Sequence, residues 1–339
     1  MTDKRVLVTG GSGYIAGFVI RQLVAEGWQV NTTVRSLTRE AELRRVLAVD
    51  DAALRFFAAD LTRDEGWAEA VAGCSHVAHV ASPLPMGAVR HEDDLIVPAR
   101  DGALRALKFA HAAGVKRLVM TSSVAAIAYG HGKTSARYTE ADWTRVDGPQ
   151  VTAYAKSKTI AERAARDWMA ANGAGMEYVS VNPSAVLGPV MSADFSGSIE
   201  IITRLLSGAL PGLPDFGFGV VDVRDVADLH VRCLTADGID GERFIASGPF
   251  LMMREVADAL RARLGQEAHK VPTRGLPSFV LRLASVFDPT LRMVTGELGK
   301  QRITLSEHAG ARLGWYPRPA ADTIADTARC LIDMGIVKV

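Results

Sequence analysis

Cysteines, aromatic residues and an excess of either charge are all scarce in this sequence. Its three cysteines, Cys74, Cys233 and Cys330, are far apart and form neither a CxxC pair nor a zinc-ligand spacing. We therefore expect no disulfide framework and a reducing compartment. Aromatic residues are only 6% of the chain, which argues against a surface that stacks nucleic-acid bases. The formal net charge is +1, so no electrostatic attraction to nucleic acid or to an anionic membrane is expected.

Long apolar segments are also missing. No apolar run approaches the roughly 18 residues of a membrane span. The run behind Lys4 and Arg5 is broken by Gly10 and Gly11, whereas a signal peptide needs an uninterrupted core. The eight histidines show no metal-ligand spacing, so no metal site is predicted. We predict a cytoplasmic protein with no membrane or nucleic-acid partner.

The bulk composition is that of a globular protein. The chain has 339 residues, of which 48% are hydrophobic and 23% are charged. These values are typical of a soluble protein with one large domain or two modest ones and an ample core.

Short apolar runs alternate with helical patterns through the first half of the chain. The predicted strands are Arg5–Thr9, Gln29–Val34, Leu54–Ala59, His76–Ala81, Arg117–Thr121 and Glu177–Val181. The predicted helices are Tyr14–Ala25, Arg39–Val49, Asp64–Ala72, Leu95–Ala113 and Thr152–Ala171. Buried strands separated by helices of this length are typical of βαβ units, so the sequence predicts an α/β fold with a doubly wound, parallel sheet of the Rossmann type.

After Asn182 this regular alternation stops. The segment Leu205–Gly219 is rich in glycine and proline and is typical of an irregular loop. Ligands of doubly wound sheets bind beyond the carboxyl ends of the strands, so the ligand site is expected there. The predicted parts are a dinucleotide-binding domain, 1–182, to which 221–248 return, and a smaller mixed, mainly helical substrate-binding lobe, 183–339, built mostly from 183–220 and 249–339.

A glycine-rich turn follows the first predicted strand and opens the first predicted helix. Within Val8–Ala16, Gly10 and Gly11 permit a tight turn, and Gly13 permits the backbone to approach a pyrophosphate. The helix N-terminus supplies amide donors and the positive end of the helix dipole. Two registers fit a dinucleotide loop, one with Gly11, Gly13 and Ala16 and one with Gly10, Gly13 and Ala16; a plain tight turn is the alternative.

The second predicted strand ends without the acidic residue that would bind both ribose hydroxyls of NAD. Positions 31–39 contain no Asp or Glu, and Arg35 lies where that acid is usual. A guanidinium binds phosphate through two charge-assisted hydrogen bonds. We therefore predict that Arg35 binds the 2′-phosphate of NADP(H), with Ser36 and Arg39 as additional contacts. A solvated surface arginine is the alternative.

Two further strand ends fit a dinucleotide groove. Asp60 and Leu61 follow the third predicted strand, where a carboxylate can accept a hydrogen bond from the adenine amino group. The segment His79–Pro83 ends the fourth, where small side chains leave room for a cofactor against the backbone. Ordinary strand-end chemistry is the alternative for both.

A nicotinamide enzyme needs a proton donor beside the carbon that exchanges hydride. Tyr154 and Lys158 lie four residues apart in a predicted helix and therefore on one face. A nearby ammonium favours tyrosinate, so we expect the pKa of Tyr154 to fall from about 10. Ser123, after the fifth predicted strand, can hydrogen-bond a substrate oxygen and Tyr154 together. A buried core tyrosine is the alternative.

The same Tyr-x-x-x-Lys spacing occurs a second time, at Tyr129 and Lys133, with Gly130 and Gly132 between them. Glycine is a poor helix former, so we interpret this second pair as accidental. The two hydroxyl side chains just before Ser123 compete with it for the substrate-binding role.

Together these segments resemble the extended short-chain dehydrogenase/reductases, in the branch of dihydroflavonol 4-reductase, cinnamoyl-CoA reductase and the microbial aldehyde/ketone reductases. The matching motifs are VTGGSGYIAG, TVRS, HVASP, TSS, YAKSK, VNPSAVLGP and VVDVRDVADLHV, and the ending GWYPRPAADTIADTA is similar as well. They are spread over nearly the whole chain. The resemblance implies a Rossmann fold that binds NADP(H) and transfers hydride between NADPH and an aldehyde or ketone carbon.

The resemblance also assigns roles to individual residues. It implies that Tyr154 is the general acid/base, that Lys158 tunes Tyr154 and holds the nicotinamide ribose, and that Ser123 positions the carbonyl. The implied cofactor contacts are Gly10, Gly13, Tyr14 and Ile15 at the pyrophosphate, Arg35 at the 2′-phosphate, Asp60 and Leu61 at the adenine, Val80, Ala81 and Ser82 along the cofactor, and Pro183 and Val186 beside the nicotinamide.

The sequence departs from the family pattern at three places. Ala16 replaces the third glycine of the loop, a variant common among the aldehyde reductases. Asp101-Gly102 lies where relatives often have Asn-Gly, so no asparagine is assigned to a proton relay. The run GPQVTA before Tyr154 lacks the Asn-Trp-Tyr-Cys of plant cinnamoyl-CoA reductases, which argues against a CoA thioester substrate.

We therefore predict an NADPH-dependent carbonyl reductase, a monomer or homodimer, that acts on fairly apolar aldehydes or ketones. Leu84, Pro85, Met86, Phe216 and Phe218 are the predicted pocket residues, with ordinary core packing as the alternative. The in-family alternatives are a hydroxysteroid dehydrogenase and a sugar-nucleotide epimerase/dehydratase, which consumes no net NADPH. A non-enzymatic NADP-sensing regulator is a further alternative, although a sensor has no need of a proton donor.

Overall fold

The structure is a computed structural model that describes residues 4–83, 91–192, 195–285 and 295–339. Its strands are β1 (Arg5–Val8), β2 (Gln29–Val34), β3 (Leu54–Ala58), β4 (His76–His79), β5 (Arg117–Thr121), β6 (Ser135–Tyr138), β7 (Glu177–Pro183), β8 (Ala185–Leu187), β9 (Leu213–Pro214), β10 (Gly217–Asp222), β11 (Arg243–Ala246), β12 (Phe250–Met252), β13 (Gly275–Leu276) and β14 (Gln301–Thr304).

The helices are α1 (Tyr14–Ala25), α2 (Glu40–Leu47), α3 (Trp67–Val71), α4 (Asp93–Ala112), α5 (Ala153–Asn172), α6 (Gly197–Leu206), α7 (Val223–Thr235), α8 (Met253–Leu264), α9 (Ser278–Ala284), α10 (Glu307–Leu313) and α11 (Ala320–Asp333). In the part of the chain that the structure describes, none of these helices combines the length and the apolar character needed to cross a membrane.

The predicted elements of the first half are present, with small shifts at their ends. Helix α1 begins and ends at the predicted residues. Helix α5 begins one residue later than predicted because Thr152 is its N-cap, where the hydroxyl accepts a hydrogen bond from the Ala155 N–H at 3.2 Å. Helix α3 is shorter than predicted, and Gly66, with a φ of 81°, directly precedes it.

The second half contains more strand than the sequence predicts. The segment Leu205–Gly219, expected to be an irregular loop, contains β9 and the start of β10. Strand β10 pairs in parallel with β8 and antiparallel with β12 in a separate three-stranded sheet. Gly217 is required there by close packing, since a Cβ at this position would lie 2.6 Å from the Phe250 ring. The prediction of a loop holds for 207–212 and 215–216 and is wrong at the start of β10, where glycine serves packing between strands.

The main sheet has seven parallel strands in the order β11-β7-β5-β4-β1-β2-β3. The chain moves outward from β1 through β2 to β3, and then outward from β4 in the opposite direction. The order reverses between β1 and β4, where doubly wound sheets bind their ligands beyond the carboxyl ends of the strands. The predicted α/β fold with a doubly wound parallel sheet is confirmed.

Alternate residues of β1 face two separate hydrophobic cores. Val6 and Val8 pack in a cluster with residues of α1 and α7, whereas Leu7 packs on the other face with residues of α3, α4 and α5. A third cluster joins α6, α8 and α11 to Val220 of β10. Strand β11 belongs to the main sheet and β10 does not; the division into two lobes at residue 182 stays a prediction.

Strand pairing also links the two halves of the sequence directly. Strand β14, near the C-terminus, pairs in parallel with β6, and Gln301 lies opposite Ser135 in this register. The C-terminal region is therefore fastened to a segment that lies between β5 and α5 in the chain.

Asp225, a buried residue near the start of α7, holds the C-terminal region to the rest of the fold at a second place. The Arg318 side chain donates hydrogen bonds of 2.7 and 3.0 Å to Asp225 Oδ1, and its backbone N–H donates one of 2.8 Å to Asp225 Oδ2. Trp315 Nε1 donates to the Asp225 backbone oxygen at 2.9 Å. The Asp225 side chain is only 11% exposed. These donors therefore supply the hydrogen bonds that water would give to an exposed carboxylate.

We predict that Arg318→Met lowers the free energy of unfolding by about 2 kcal/mol, because it leaves a largely buried carboxylate short of donors. Arg263→Met is the matched control, since Arg263 also pairs with an aspartate, Asp322, but both side chains are about half exposed. The control should cost less than about 1 kcal/mol. Urea denaturation followed by circular dichroism measures both values, and equal losses would contradict the prediction.

Candidate active site

The glycine turn between β1 and α1 packs tightly against neighbouring strand ends. Gly10 has a φ of 74°, its N–H donates to Thr33 Oγ1 at 3.0 Å, and a Cβ on it would lie 3.1 Å from Ala81 Cα. A Cβ on Gly11 would collide with the Thr32 side chain. The fold thus requires glycine at both positions, 10 and 11. Because both are glycine, the sequence pattern alone fits two registers of a dinucleotide loop.

Helix α1 begins directly after this turn with backbone donors that no side chain caps. Gly13 is the N-cap and offers no side-chain hydrogen bond. The N–H groups of Tyr14 and Ile15 donate no hydrogen bond to a residue that the structure describes. The phenol of Tyr14 packs between two hydrophobic cores, and burial raises its pKa. The phenol is thus occupied by packing, so the backbone N–H is the group of Tyr14 that can bind an anion.

Arg35 follows the last residue of β2 and is exposed. Among the described residues it has no hydrogen bond or ion pair, although its charge helps to lower the pKa of Asp60. The two predicted additional contacts are already engaged. Ser36 accepts a hydrogen bond from the Thr38 N–H at 3.3 Å, and Arg39 forms an ion pair with Glu42 at 2.9 Å. A guanidinium at this edge with no partner among the described residues fits an anionic group of a ligand.

Asp60 and Leu61 follow β3 and have contacts of their own. Asp60 Oδ1 accepts hydrogen bonds from Thr62 Oγ1 at 2.6 Å and from the Thr62 N–H at 2.8 Å. These bonds lower the pKa of Asp60, so it is ionised at neutral pH. The Leu61 side chain packs against Gly102, where an added Cβ would lie 3.0 Å from it. The hydrogen bonds with Thr62 thus engage one carboxylate oxygen of Asp60. Adenine binding by Asp60 and Leu61 stays a prediction.

The end of β4 continues the groove beside the glycine turn. Val80, Ala81 and Ser82 are all partly buried, and the Ala81 N–H donates to Thr9 Oγ1 at 2.9 Å. His79 lies 3.0 Å from the same hydroxyl, and burial lowers its pKa to about 3. A neutral His79 therefore holds the end of β1 against the end of β4.

Ser123 and Tyr154 meet beyond the carboxyl end of β5. Ser123 Oγ accepts a hydrogen bond from the Ala125 N–H at 3.1 Å and lies 3.4 Å from the Pro183 backbone oxygen. The Ser123 hydroxyl also lies near the phenol of Tyr154, the second residue of α5, and acts to lower the pKa of that phenol. Pro183 ends β7, and Val186 lies buried in β8. The structure therefore brings Ser123, Tyr154 and Pro183 into one cluster.

Lys158 lies one helical turn after Tyr154 and is buried. Its Nζ is 5.9 Å from the centroid of the Tyr154 ring. Burial lowers the pKa of Lys158 to about 8, and the charge of Glu162 opposes that shift. Among the described residues the Lys158 amine has no hydrogen bond and no ion pair within 4 Å, so it is available to a ligand.

The expected fall in the pKa of Tyr154 was wrong. Burial raises this pKa, and the nearby Ser123 hydroxyl opposes the rise only in part. The sequence shows the neighbouring ammonium but not the burial of the phenol. A phenol with a raised pKa is fully protonated at neutral pH, which suits a proton donor.

The remaining predicted residues belong to other segments of the chain, and some of them lie outside the described residues. Tyr129 and Lys133 lie in a turn in which Gly130 has a φ of 77°, and Arg302 covers the Tyr129 ring at 4.4 Å. Phe216 and Phe218 pack against the third hydrophobic core, with their ring centroids 5.7 Å apart. The predicted pocket residues Leu84, Pro85 and Met86 lie outside the described residues.

Comparisons with known proteins agree with this geometry. The family model described as the NAD dependent epimerase/dehydratase family matches residues 6–246. An anthocyanidin reductase of Vitis vinifera is 30% identical over 286 residues, which are 80% of this chain and 83% of that protein. The ketoreductase azaE of Aspergillus niger is 33% identical over 296 residues, 81% of this chain and 86% of that protein. The chain therefore belongs to the NAD-dependent epimerase/dehydratase family of extended short-chain dehydrogenase/reductases.

A solved structure resembles the whole chain. It is that of the yeast methylglyoxal/isovaleraldehyde reductase Gre2, complexed with NADPH. The TM-score is 0.82 at 25% identity, and the match covers 98% of this chain and 100% of that one. The two chains share their fold over nearly their full length.

The residues present fit a phosphorylated dinucleotide. The glycine turn brings the chain directly into the N-terminus of α1, where no side chain of the described residues caps the first N–H donors. Arg35 supplies a positive charge at the end of β2 that has no partner among the described residues. Within the described residues, no group of three or more His, Cys, Asp and Glu side chains could hold a metal ion.

We predict that Arg35→Asp weakens NADPH binding by about 10- to 100-fold, since it removes charge-assisted bonds and adds a repulsive carboxylate. NADH, which has no 2′-phosphate, should bind with unchanged or higher affinity. Arg55→Asp is the matched control, because Arg55 is an exposed arginine on β3 far from its carboxyl end. It should change both constants by less than about threefold.

Fluorescence titration with each nucleotide measures the two dissociation constants without turnover. An Arg35→Asp variant that loses affinity for NADPH and NADH equally would show that Arg35 does not recognise the 2′-phosphate.

Proposed function

We propose that this chain is an NADPH-dependent carbonyl reductase in which Tyr154 is the proton donor. The predictions of an NADP(H)-dependent oxidoreductase and of carbonyl reduction are confirmed by its reductase relatives and by the NADPH-bound yeast reductase that shares its fold. The observation that carries the residue assignments is the cluster of Ser123, Tyr154 and Lys158 beyond the carboxyl edge, beside the glycine turn.

Binding and chemistry divide between the two sides of the crevice. The backbone of Gly10, Gly13, Tyr14 and Ile15 would hold the pyrophosphate, and Arg35 the 2′-phosphate. Asp60, Leu61, Val80, Ala81, Ser82, Pro183 and Val186 would complete the cofactor contacts. When bound, the reduced nicotinamide supplies the hydride that the protein side chains cannot supply.

The side chains of the cluster handle the proton. The Ser123 hydroxyl lies near the phenol of Tyr154, so a substrate oxygen between them would accept hydrogen bonds from both. Tyr154 is protonated at neutral pH because burial raises its pKa, and it gives its proton as negative charge develops on that oxygen. The Lys158 ammonium, near the phenol ring, stabilises the tyrosinate that remains.

The alternative functions account less well for this arrangement. A non-enzymatic NADP sensor has no need of a protonated phenol beside a serine hydroxyl and a lysine. A UDP-glucose 4-epimerase of Thermus thermophilus has the same fold, with a TM-score of 0.72 at 24% identity, but the curated relatives named above are reductases. The absence of net NADPH consumption with simple aldehydes and ketones would favour an epimerase.

The finer features of the function are proposals. We infer that the substrates are small, fairly apolar aldehydes or ketones, in line with the apolar character of the predicted pocket residues Phe216 and Phe218, which pack against the third hydrophobic core. We also infer a cytoplasmic monomer or homodimer with no nucleic-acid partner, in line with the balanced charge and the few cysteines.

We predict that Tyr154→Phe lowers kcat for carbonyl reduction by about 10²- to 10⁴-fold, because it removes the proton donor and nothing else. NADPH affinity should change by less than about threefold. Tyr129→Phe is the control, since Tyr129 belongs to the second Tyr-x-x-x-Lys pair and should retain most of the activity. NADPH oxidation at 340 nm with a panel of aldehydes and ketones measures both, and full activity of Tyr154→Phe would refute the mechanism.

We predict that kcat for reduction is level below pH 7 and falls as the pH rises through about 8. The Lys158 pKa is lowered to about 8, so the ammonium is present below that pH and is lost above it. Lys158→Met should lack this inflection because no ammonium is present at any pH. A rate that increases through pH 8 would contradict the assignment.

A further inference from the structure

Glu162 is a completely buried carboxylate in the middle of α5. Its Oε2 accepts hydrogen bonds from Ser122 Oγ at 2.6 Å and from Asn182 Nδ2 at 2.9 Å. Its Oε1 accepts them from Arg243 Nε at 2.7 Å and from Ser180 Oγ at 2.9 Å. Four side chains, from β7, from β11 and from the residue directly after β5, thus converge on one carboxylate.

These contacts fix the strand ends that carry the proposed active site. Ser122 and Asn182 directly precede Ser123 and Pro183 in the chain. Asn182 Nδ2 also lies 3.2 Å from the Ser123 backbone oxygen, so one amide bridges Glu162 and Ser123. A movement of the Glu162 carboxylate would therefore move the ends of β5 and β7.

Glu162 also lies one helical turn after Lys158, on the same face of α5. The ionisable groups that face Lys158 are Tyr154 and Glu162 on α5 and His79 on β4. Tyr154 is protonated and His79 is neutral at pH 7, because burial raises the pKa of the first and lowers that of the second. Among the described residues, Glu162 is the acid whose charge favours the ammonium.

Glu162 itself is held in its charged form. Burial alone would raise its pKa, but the Arg243 guanidinium and the hydrogen bonds of Arg243 and Ser122 outweigh that effect, and the pKa lies below its usual value. Arg166 on α5 adds a second positive charge 3.6 Å away, and Tyr178 on β7 is the nearby phenol. Arg243 is 3.8 Å from the Trp143 ring centroid, which keeps the guanidinium in place.

We propose that Glu162 is a positioning residue of the active site, whose carboxylate keeps the buried Lys158 amine cationic and fixes the strand ends before Ser123 and Pro183. The catalytic consequence rests on the proposed function, because it requires Lys158 to act beside Tyr154. The charge state of Lys158 does not depend on that function, so the two ideas can be tested separately.

The test is a direct titration of Lys158 in the full-length protein. Lysine labelled with ¹³C at Cε gives one signal for each of the nine lysines, and Lys158→Met identifies the Lys158 signal. In Glu162→Gln, we expect the titration midpoint of Lys158 to move down by about one pH unit or more, because a favourable charge is lost. The alkaline fall in kcat should move down by the same amount.

Ser180→Ala is the matched control. It removes one hydrogen bond from the same carboxylate but leaves its charge, so it should lower stability without moving the Lys158 midpoint. If Glu162→Gln is too unstable to record, Glu162→Asp keeps the charge but withdraws it by one methylene, and its midpoint should move down by a smaller amount.

An unchanged Lys158 midpoint in the folded Glu162 variants would overturn the inference and leave the proposed function intact. A midpoint that moves while the fall in kcat does not would support the inference and remove Lys158 from the catalytic machinery.

Discussion

The proposed active site depends on one constraint, the common carboxyl edge of a parallel sheet. Strands that run in the same direction present their last residues along one line, so Gly10 after β1, Ala81 after β4, Ser123 after β5 and Pro183 in β7 become neighbours although they are far apart in the chain. The reversal of strand order between β1 and β4 opens a crevice at that line. Residue types that bind a dinucleotide and residue types that move a proton therefore meet without any long loop to bring them together.

Much of this arrangement could be predicted because its signals are local. The glycine turn is recognisable since a tight turn must separate a buried strand from a helix. Tyr154 and Lys158 are recognisable since four residues make one helical turn, and α5 has the predicted bounds to within one residue. Arg35 is recognisable because an arginine replaces an acid at a fixed place after β2. In each case the relevant neighbours are within about one turn or one strand of each other in the sequence.

The rest could not be predicted because it depends on partners distant in the chain. Glu162 is one acid among many in the sequence, and its charged partner Arg243 follows 81 residues later. The direction of the Tyr154 pKa shift depends on burial, which spacing does not reveal. Glycines that serve strand packing, such as Gly217, look like loop glycines until the facing Phe250 is known.

The parallel pairing of β14 with β6 has a consequence for how a newly made chain folds. Residues 301–304 complete a ribbon that begins at 135–138, so β14 leaves the ribosome after the edge it must join has already been made. Until then, β6 lacks the partner strand that the described residues give it, and its open backbone groups can pair with other chains. Newly synthesised molecules would thus be most vulnerable to aggregation in the interval between emergence of β6 and emergence of β14.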